Sequence, residues 1–165
     1  MSFDVFLDRD GTLIRDTGYI SKISDVEVLP GVVRGLKRFK AKGYRLHIVS
    51  NQSGIPRGKV SEREFKEVEI HVNKLFQLEN IFFDSLNYCF HLPTAGCACR
   101  KPNFGLFTKV SEKYQLDKSR SAMLGNSDVD LQAALNFGIP FWKVGITDDD
   151  FDFTAQKVVD YFERV

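Results

Sequence analysis

Hydrophobic positions follow two alternating spacings along this chain. Short apolar runs predict five strands, over residues 3–7, 44–49, 81–88, 121–125 and 141–144. Between them, apolar residues recur every three or four positions, which predicts amphipathic helices over about 32–42, 61–77, 106–114, 128–137 and 154–164. The signals that start and stop these helices include a capping-box pattern, Ser61-Glu62-Arg63-Glu64, and glycines at 43 and 138.

Strands that alternate with helices predict right-handed crossovers and a parallel sheet. We therefore expect an α/β fold with three layers, a Rossmann-like sheet of about five strands covered by helices on both faces. A chain of 165 residues is the size of one domain, so residues 1–165 are predicted to form a single domain. No long insertion follows the first or second strand, so no separate cap domain is expected.

The charge balance narrows the class of partner. The chain has 23 basic and 22 acidic side chains and a net charge of +1, which argues against a protein that coats nucleic acid and favours a small-molecule target. No run is apolar enough to span a membrane, and residues 1–4 lack the basic start of a signal peptide. We predict a cytoplasmic monomer.

Two carboxylates follow the first strand directly. Because successive side chains of an extended segment point to opposite sides, Asp8 and Asp10 are expected to share one side while Arg9 faces away. Gly11 then permits a turn. Ligands of such sheets bind beyond the carboxyl ends of the strands, so Asp8, Ser50 and the segment 126–130 should meet at one edge.

Three cysteines and a histidine lie close together after the third strand. Cys89, His91, Cys97 and Cys99 form a set that suits tetrahedral zinc, and an odd number of cysteines cannot complete a disulfide framework. Four protein ligands leave no open position for a substrate, so the predicted Zn²⁺ is structural. His47 and His71 are expected to be packing or surface residues.

Four segments in order resemble the motifs of the haloacid dehalogenase-like phosphatases. They are Asp8-Arg9-Asp10-Gly11-Thr12, Ser50-Asn51-Gln52, Arg100-Lys101-Pro102 and Gly125-Asn126-Ser127-Asp128-Val129-Asp130. The resemblance extends over nearly the whole chain. It implies that Asp8 attacks phosphorus to form an aspartyl-phosphate, that Asp10 acts as acid and then as base, and that Ser50 and Lys101 hold the phosphoryl oxygens.

The same resemblance implies a catalytic Mg²⁺, because a hard cation must bridge a carboxylate and a phosphate dianion. Its ligands are expected among Asp8, Asp10, Asn126 and Asp130. The family usually has aspartate where Asn126 stands, and an amide oxygen carries no negative charge, so the affinity for Mg²⁺ should be lower and Asp130 more important. A binding module without turnover is the alternative that this asparagine favours.

A zinc loop of this kind resembles the branch that holds the heptose bisphosphate phosphatases and the histidinol phosphatases. The segments 16–19 and 51–59 favour the heptose group, whereas the five residues between His91 and Cys97 favour the histidinol group. Ser127 stands where lysine is common. A small phosphorylated sugar is thus the expected substrate, and polynucleotides come third. Its expected contacts are Asp16, Tyr19, Asn51, Gln52, Ser53, Arg57 and Arg100.

Overall fold

A five-stranded parallel sheet forms the centre of the described chain. The structure, a computed structural model, describes residues 2–145, 147 and 150–164, so both ends of the predicted domain lie outside the described residues. The strands are β1 (Asp4–Leu7), β2 (Arg45–Asn51), β3 (Ser85–Cys89), β4 (Ser121–Gly125) and β5 (Phe141–Lys143). Their spatial order is β3-β2-β1-β4-β5, and every neighbouring pair is parallel.

Helices cover both faces of this sheet. They are α1 (Val32–Ala41), α2 (Glu62–Leu78), α3 (Gly105–Tyr114), α4 (Asp128–Phe137) and α5 (Asp150–Glu163). Buried side chains of α1, α2 and α5 pack on one face, and those of α3 and α4 on the other. The predicted three-layer α/β fold is confirmed. In the described residues, only loops and one short 3-10 turn separate β1 from α1 and β2 from α2.

The side chains of β1 explain how one strand serves two cores. Val5 and Leu7 belong to the core beneath α1, α2 and α5, whereas Phe6 points to the opposite face and lies 4.7 Å from the Phe107 ring of α3. All three side chains are fully buried. A continuous apolar run such as residues 5–7 is therefore what a central parallel strand requires, and the polar residue that follows it, Asp8, lies at the carboxyl end of β1.

The structure corrects two boundaries. The third strand was predicted from residue 81 but starts at Ser85, because Ile81 closes α2 with a backbone bond to Phe76 and is fully buried there. The last helix starts at Asp150, one turn earlier than predicted. Asp150 accepts hydrogen bonds from the backbone N–H groups of Gly145 and Thr147, which cap this earlier start.

The remaining helix and strand predictions agree with the structure to within about two residues, and the predicted capping box at Ser61 is present. His47 is a packing residue, fully buried and hydrogen-bonded to Asp4 and Ser85. No helix in the described part of the chain has an apolar stretch of the length that crossing a bilayer requires.

Candidate active site

A cavity of about 300 Å³ opens at the carboxyl ends of β1, β2 and β4. Each strand contributes polar side chains where it ends. Asp8 and Asp10 follow β1, Ser50 is the second-to-last residue of β2, and Asn126 follows β4. Lys101 reaches the same cavity from the loop that follows β3. The edge predicted from the sequence is therefore where these groups meet.

Lys101 is the charged centre of this site. Its Nζ donates to Asp8 Oδ1 at 2.8 Å, to Asp130 Oδ1 at 2.6 Å and to the Val49 carbonyl at 2.8 Å. The side chain is almost fully buried, so these three acceptors replace water. A lysine ammonium has three protons, and each is used. Lys101 therefore fixes the Asp8 carboxylate in place.

Burial sets the protonation behaviour of this pair. Removal from water raises the pKa of Asp8 from 3.8 to about 6, and the attraction of Lys101 offsets part of that rise. For Lys101, burial alone lowers the pKa, but the nearby Asp8 and Asp130 carboxylates outweigh it and raise the pKa above its ordinary value. Lys101 is consequently a permanent cation, and Asp8 is a carboxylate held against a desolvation penalty.

Asp10 is held by two neighbours. Arg9 donates from Nε to Asp10 Oδ1 at 2.7 Å and from Nη2 to Oδ2 at 3.1 Å. Gln52 Nε2 donates to Asp10 Oδ2 at 2.8 Å and to Ser50 Oγ at 3.0 Å. As predicted, Asp8 and Asp10 line the cavity and Arg9 is absent from its described lining, but the contact of the Arg9 guanidinium with Asp10 was not predicted.

Asn126 lies in a narrow space beside the first turn. Its Oδ1 accepts from Thr12 Oγ1 at 3.4 Å. Gly11 has a φ of 77°, and a Cβ built there would lie 2.2 Å from Asn126 Nδ2. Only glycine fits this position, for its backbone and for the space it leaves. The amide is thereby fixed at the cavity wall.

Both carboxyl oxygens of Asp130 have hydrogen-bond partners inside the fold. One oxygen accepts from Lys101, and the other accepts from the backbone N–H and the hydroxyl of Ser127, closing a capping box at the start of α4. A Cβ on Gly125 would meet Asp130 Oδ2 at 2.6 Å, so glycine lets the side chain fold back. Only 1% of Asp130 is exposed, and its buried carboxylate forms an ion pair with Lys101.

Asn51 connects β2 to the loop that carries Lys101. Its Oδ1 accepts from the Lys101 N–H at 3.0 Å, and its Nδ2 donates to the Lys101 carbonyl at 3.0 Å. Both ends of the amide are therefore used on the lysine backbone. Asn51 was predicted to contact substrate, and although it lines the cavity, these two bonds make it a clamp on Lys101.

The predicted metal ligands of the loop after β3 lie together. Cys89, His91, Cys97 and Cys99 place one ligand atom each within 4.8 Å of all the others. The sulfur–sulfur distances are 3.3 to 3.7 Å, and His91 Nδ1 lies 3.2 and 3.4 Å from two of the sulfurs. Tetrahedral zinc with Zn–S bonds of about 2.3 Å needs sulfur separations near 3.8 Å. These four side chains could hold a metal ion.

The predicted substrate contacts divide into two groups. Asp16, Tyr19, Gln52 and Ser53 line the cavity together with Asn51. The two arginines are absent from the described lining. Arg57 is exposed and bonds Ser53 Oγ at 3.4 Å, and Arg100 bonds the His91 carbonyl at 3.2 Å.

The sequence did not indicate the apolar wall of the cavity or the contact between Arg9 and Asp10. Phe65 lies on the apolar face of α2, a position that the helix pattern marks only as core. Ile55 and Val129 lie within the polar segments 51–59 and 125–130, where no periodic spacing of apolar residues indicates a buried face. The apolar wall comprises Ile20, Ile55, Val60, Phe65 and Val129.

The arrangement provides a nucleophile, a second carboxyl group and a fixed cation around one cavity. Comparison with known proteins gives a consistent result. Residues 3–127 match the model of the polynucleotide kinase 3 phosphatase family. The chain is 41% identical over 139 residues to the probable D-glycero-D-manno-heptose-1,7-bisphosphate 7-phosphatase of Thermoplasma acidophilum. The matched region covers 83% of this chain and 86% of that relative.

Two solved structures show the same fold. A protein of Mesorhizobium loti described as a HAD-like phosphatase has a TM-score of 0.88 and 27% identity, covering 97% of this chain and 87% of the other. The D,D-heptose 1.7-bisphosphate phosphatase of B. bronchiseptica, complexed with magnesium and phosphate, has a TM-score of 0.87 and 24% identity, covering 98% and 99%. The chain belongs to the haloacid dehalogenase-like phosphatases, in the group of the D-glycero-D-manno-heptose-1,7-bisphosphate 7-phosphatases.

Proposed function

We propose that this protein hydrolyses a phosphomonoester through an aspartyl-phosphate on Asp8, and that its substrate is D-glycero-D-manno-heptose 1,7-bisphosphate, which loses its 7-phosphate. We propose further that residues 1–165 act as one domain and as a monomer. The observation that carries the reaction is the contact between Lys101 Nζ and Asp8 Oδ1 at 2.8 Å inside the cavity. It holds a carboxylate nucleophile in a fixed direction, with a second carboxyl group, Asp10, beside it.

The first step forms one bond and breaks another. An oxygen of Asp8 attacks phosphorus while the bond from phosphorus to the sugar oxygen breaks, and Asp10 gives its proton to that oxygen. The positive charge of Lys101 lies beside the attacking oxygen, where it stabilises the charge that builds on the phosphoryl oxygens, and the Ser50 hydroxyl is placed to donate to one of them. The products of this step are the free sugar hydroxyl and an acyl phosphate on Asp8.

The second step restores the protein. Asp10, now a carboxylate, takes a proton from a water molecule whose oxygen attacks phosphorus. The bond from phosphorus to Asp8 breaks, and inorganic phosphate leaves. One side chain thus serves as acid and then as base, and each step passes a lower barrier than direct displacement by water.

The donor set at the cavity fits a hard cation. The Asp8 carboxylate, the Asp10 backbone carbonyl and Asn126 Oδ1 are all oxygen ligands of the kind that Mg²⁺ prefers, and the Asp10 carboxyl stays with Arg9 and Gln52. We assign Asp130 to Lys101 instead of the cation, because both of its oxygens already have partners inside the fold. Bound Mg²⁺ would neutralise charge between the nucleophile and the phosphate dianion.

Replacing Asn126 by aspartate should tighten Mg²⁺ binding. The change restores one negative charge to the ligand set with almost no change in shape, and we expect the dissociation constant for Mg²⁺ to fall on the order of tenfold. Isothermal titration of the protein with MgCl₂, without substrate, measures this directly.

A charge-matched control lies at the opposite edge of the sheet. Asn80 is exposed in the connection between α2 and the start of β3, so Asn80→Asp adds the same charge away from the cavity and should leave Mg²⁺ affinity unchanged. Equal tightening by both variants would show that net charge alone acts. No tightening by Asn126→Asp would remove position 126 from the ligand set.

We propose that the four ligands after β3 hold a structural Zn²⁺ that fixes the loop leading to Lys101. Two hydrogen bonds support this link: Gly105 N–H donates to the Ala98 carbonyl at 2.9 Å, and Asn103 Nδ2 donates to the Cys97 carbonyl at 2.7 Å. The zinc cluster and the catalytic lysine are thereby parts of one packed loop, and only Arg100 lies between Cys99 and Lys101.

Purified protein should contain about one zinc per chain, and His91→Ala should lose it. Because the loop then loosens around Lys101, we expect the variant to melt at a lower temperature and to turn over more slowly. Elemental analysis and thermal unfolding measure both. His71→Ala, in the middle of α2, is the control and should keep its zinc. Full zinc content in His91→Ala would contradict the ligand assignment.

The heptose substrate is supported by the named relatives and by the cavity itself. Asp16 and Ser53 add polar groups that can bond sugar hydroxyls, and Arg57 lies next to Ser53, where a second phosphate group could reach it. A histidinol phosphate is the second candidate. The short spacing from His91 to Cys97 favours it, and the Asp16 carboxylate could face its cationic part.

Phosphate release in the presence of Mg²⁺ tests these alternatives. The purified protein is given D-glycero-D-manno-heptose 1,7-bisphosphate in both anomeric forms, histidinol phosphate and a 3'-phosphorylated oligonucleotide at equal concentrations. We expect the highest kcat/KM for one heptose anomer. Preference for histidinol phosphate or the oligonucleotide would mean that heptose bisphosphate is not the substrate. Absence of turnover on all of them at any Mg²⁺ concentration would mean that the protein is a binding module and not an enzyme.

A further inference from the structure

Arg9 is a buried cation that the mechanism above does not use. Only 1% of the residue is exposed, and its guanidinium faces Asp10 with two N–H groups, from Nε and Nη2. Its Nη1 has no hydrogen-bond partner among the described residues. Burying an arginine with one nitrogen unsatisfied is costly, so a compensating function for the residue is expected.

Two aromatic rings also contact the guanidinium. Its central carbon lies 5.5 Å from the centre of the Phe65 ring and 5.9 Å from that of Tyr88, within the range of cation–π contact. The two rings meet edge to face at 5.1 Å. Phe65 belongs to α2 and Tyr88 to β3, so two elements of the rigid fold set the position of Arg9.

The contacts of Asp10 distinguish its two oxygens. Oδ2 accepts two hydrogen bonds, from Arg9 Nη2 and from Gln52 Nε2, whereas Oδ1 accepts one, from Arg9 Nε. A carboxyl oxygen has two lone pairs, so Oδ2 is fully used and Oδ1 keeps one free. The transferable proton therefore has one place, on Oδ1.

We propose that Arg9 is a positioning residue: its two-pronged contact orients Asp10 so that Oδ1 carries the proton to the leaving oxygen. This rests on the proposed phosphatase reaction and adds a residue to it. Lysine cannot replace Arg9, because its single ammonium cannot form two parallel N–H bonds to both oxygens. The effect of Arg9 should thus depend on how much the leaving group needs a proton.

The test compares two substrates that differ in this need. In glycerol 3-phosphate the leaving group is a strongly basic alkoxide that needs a proton, whereas in p-nitrophenyl phosphate it is p-nitrophenolate, a stable anion that needs none. For Arg9→Lys and Arg9→Met we expect kcat/KM on glycerol 3-phosphate to fall on the order of a hundredfold and on p-nitrophenyl phosphate by less than about fivefold. The ratio kcat/KM reports the first step, so the later role of Asp10 as base does not enter.

A surface pair supplies the matched control. Arg15 forms the same bidentate contact with Glu27, from Nε at 2.8 Å and from Nη2 at 2.9 Å, but both side chains are about half exposed. Arg15→Lys should leave kcat/KM unchanged on both substrates. On an Asp10→Asn background, Arg9→Lys should cause no further loss on glycerol 3-phosphate, since both changes remove the same proton transfer.

Equal losses on the two substrates, or losses that multiply in the double variant, would overturn the positioning role while leaving the phosphatase proposal intact. A wild type inactive on these two substrates and also on the heptose bisphosphate would instead refute the phosphatase. A crystal structure of Arg9→Lys decides the matter independently of activity and of the stability of Arg9→Met. We expect the Asp10 carboxyl to rotate from its present direction, and an unmoved carboxyl contradicts the proposal.

Discussion

Asp8→Asn is expected to abolish turnover and, at the same time, to make the metal-free protein more stable. The amide keeps the shape of the carboxyl but cannot attack phosphorus, so kcat should fall on the order of a thousandfold or more. Stability should rise because the native fold holds a carboxylate whose burial raises its pKa from 3.8 to about 6.

The pH dependence of this gain follows from linkage. Since the pKa of Asp8 is higher in the folded protein, the fold loses stability from this group as pH rises from about 4 through about 6. The loss approaches roughly 3 kcal/mol at pH 8. Asp8→Asn lacks this penalty, so its advantage in free energy of unfolding should be near that size at pH 8 and below about 1 kcal/mol at pH 4.

Urea unfolding at the two pH values, in buffer free of Mg²⁺ and of chelators, measures the difference. Asp25→Asn is a suitable control, because Asp25 lies in a short exposed turn and should show no such gain. A variant that is less stable than wild type at pH 8 would mean that the attraction between Asp8 and Lys101 exceeds the desolvation penalty.

Lys101→Met should have the second large effect, on stability and activity together. Asp8 and Asp130 would lose the cation that both contact, which leaves two carboxylates in a buried site without a counter-charge. Removing one partner from such a buried group costs about 3–5 kcal/mol. Turnover should also fall on the order of a hundredfold or more, because the positive charge beside Asp8 and the phosphoryl group is lost.

A surface lysine gives the comparison. Lys37 contacts Glu79 at 2.6 Å, but both side chains are about half exposed, so Lys37→Met should change the free energy of unfolding by less than about 1 kcal/mol. Urea unfolding and steady-state kinetics of the two variants provide the measurement. If Lys101→Met unfolded like Lys37→Met, the three contacts of Nζ would contribute nothing to the fold.

Much of the fold could be predicted because each element carries a local signal. The apolar run 121–125 is bounded by polar residues, and the spacing of apolar residues in 128–137 ends at a glycine, so β4 and α4 were placed without tertiary information. The start of β3 could not be, since Ile81 is apolar in either state and its packing on α2 decides the outcome.

The candidate site was predictable as a set of chemical groups and less so as a set of contacts. Motif order brought Asp8 and Lys101 to one edge of the sheet, where the structure places them. The partners of Asp130 and Asn51 depend on how a helix start and a strand end meet the lysine loop. The contact of Arg9 with Asp10 was not predicted, because alternation along a strand gives the direction in which a side chain starts and not where a long side chain ends.

The central claim is that Asp8 becomes phosphorylated by a heptose bisphosphate. The most direct measurement mixes the protein with Mg²⁺ and D-glycero-D-manno-heptose 1,7-bisphosphate, quenches with borohydride, and analyses the peptide that contains Asp8 by mass spectrometry. An acyl phosphate is reduced to an alcohol, so we predict homoserine at position 8 only when substrate and Mg²⁺ are both present. Steady release of phosphate with Asp8 unmodified in every sample would contradict the account.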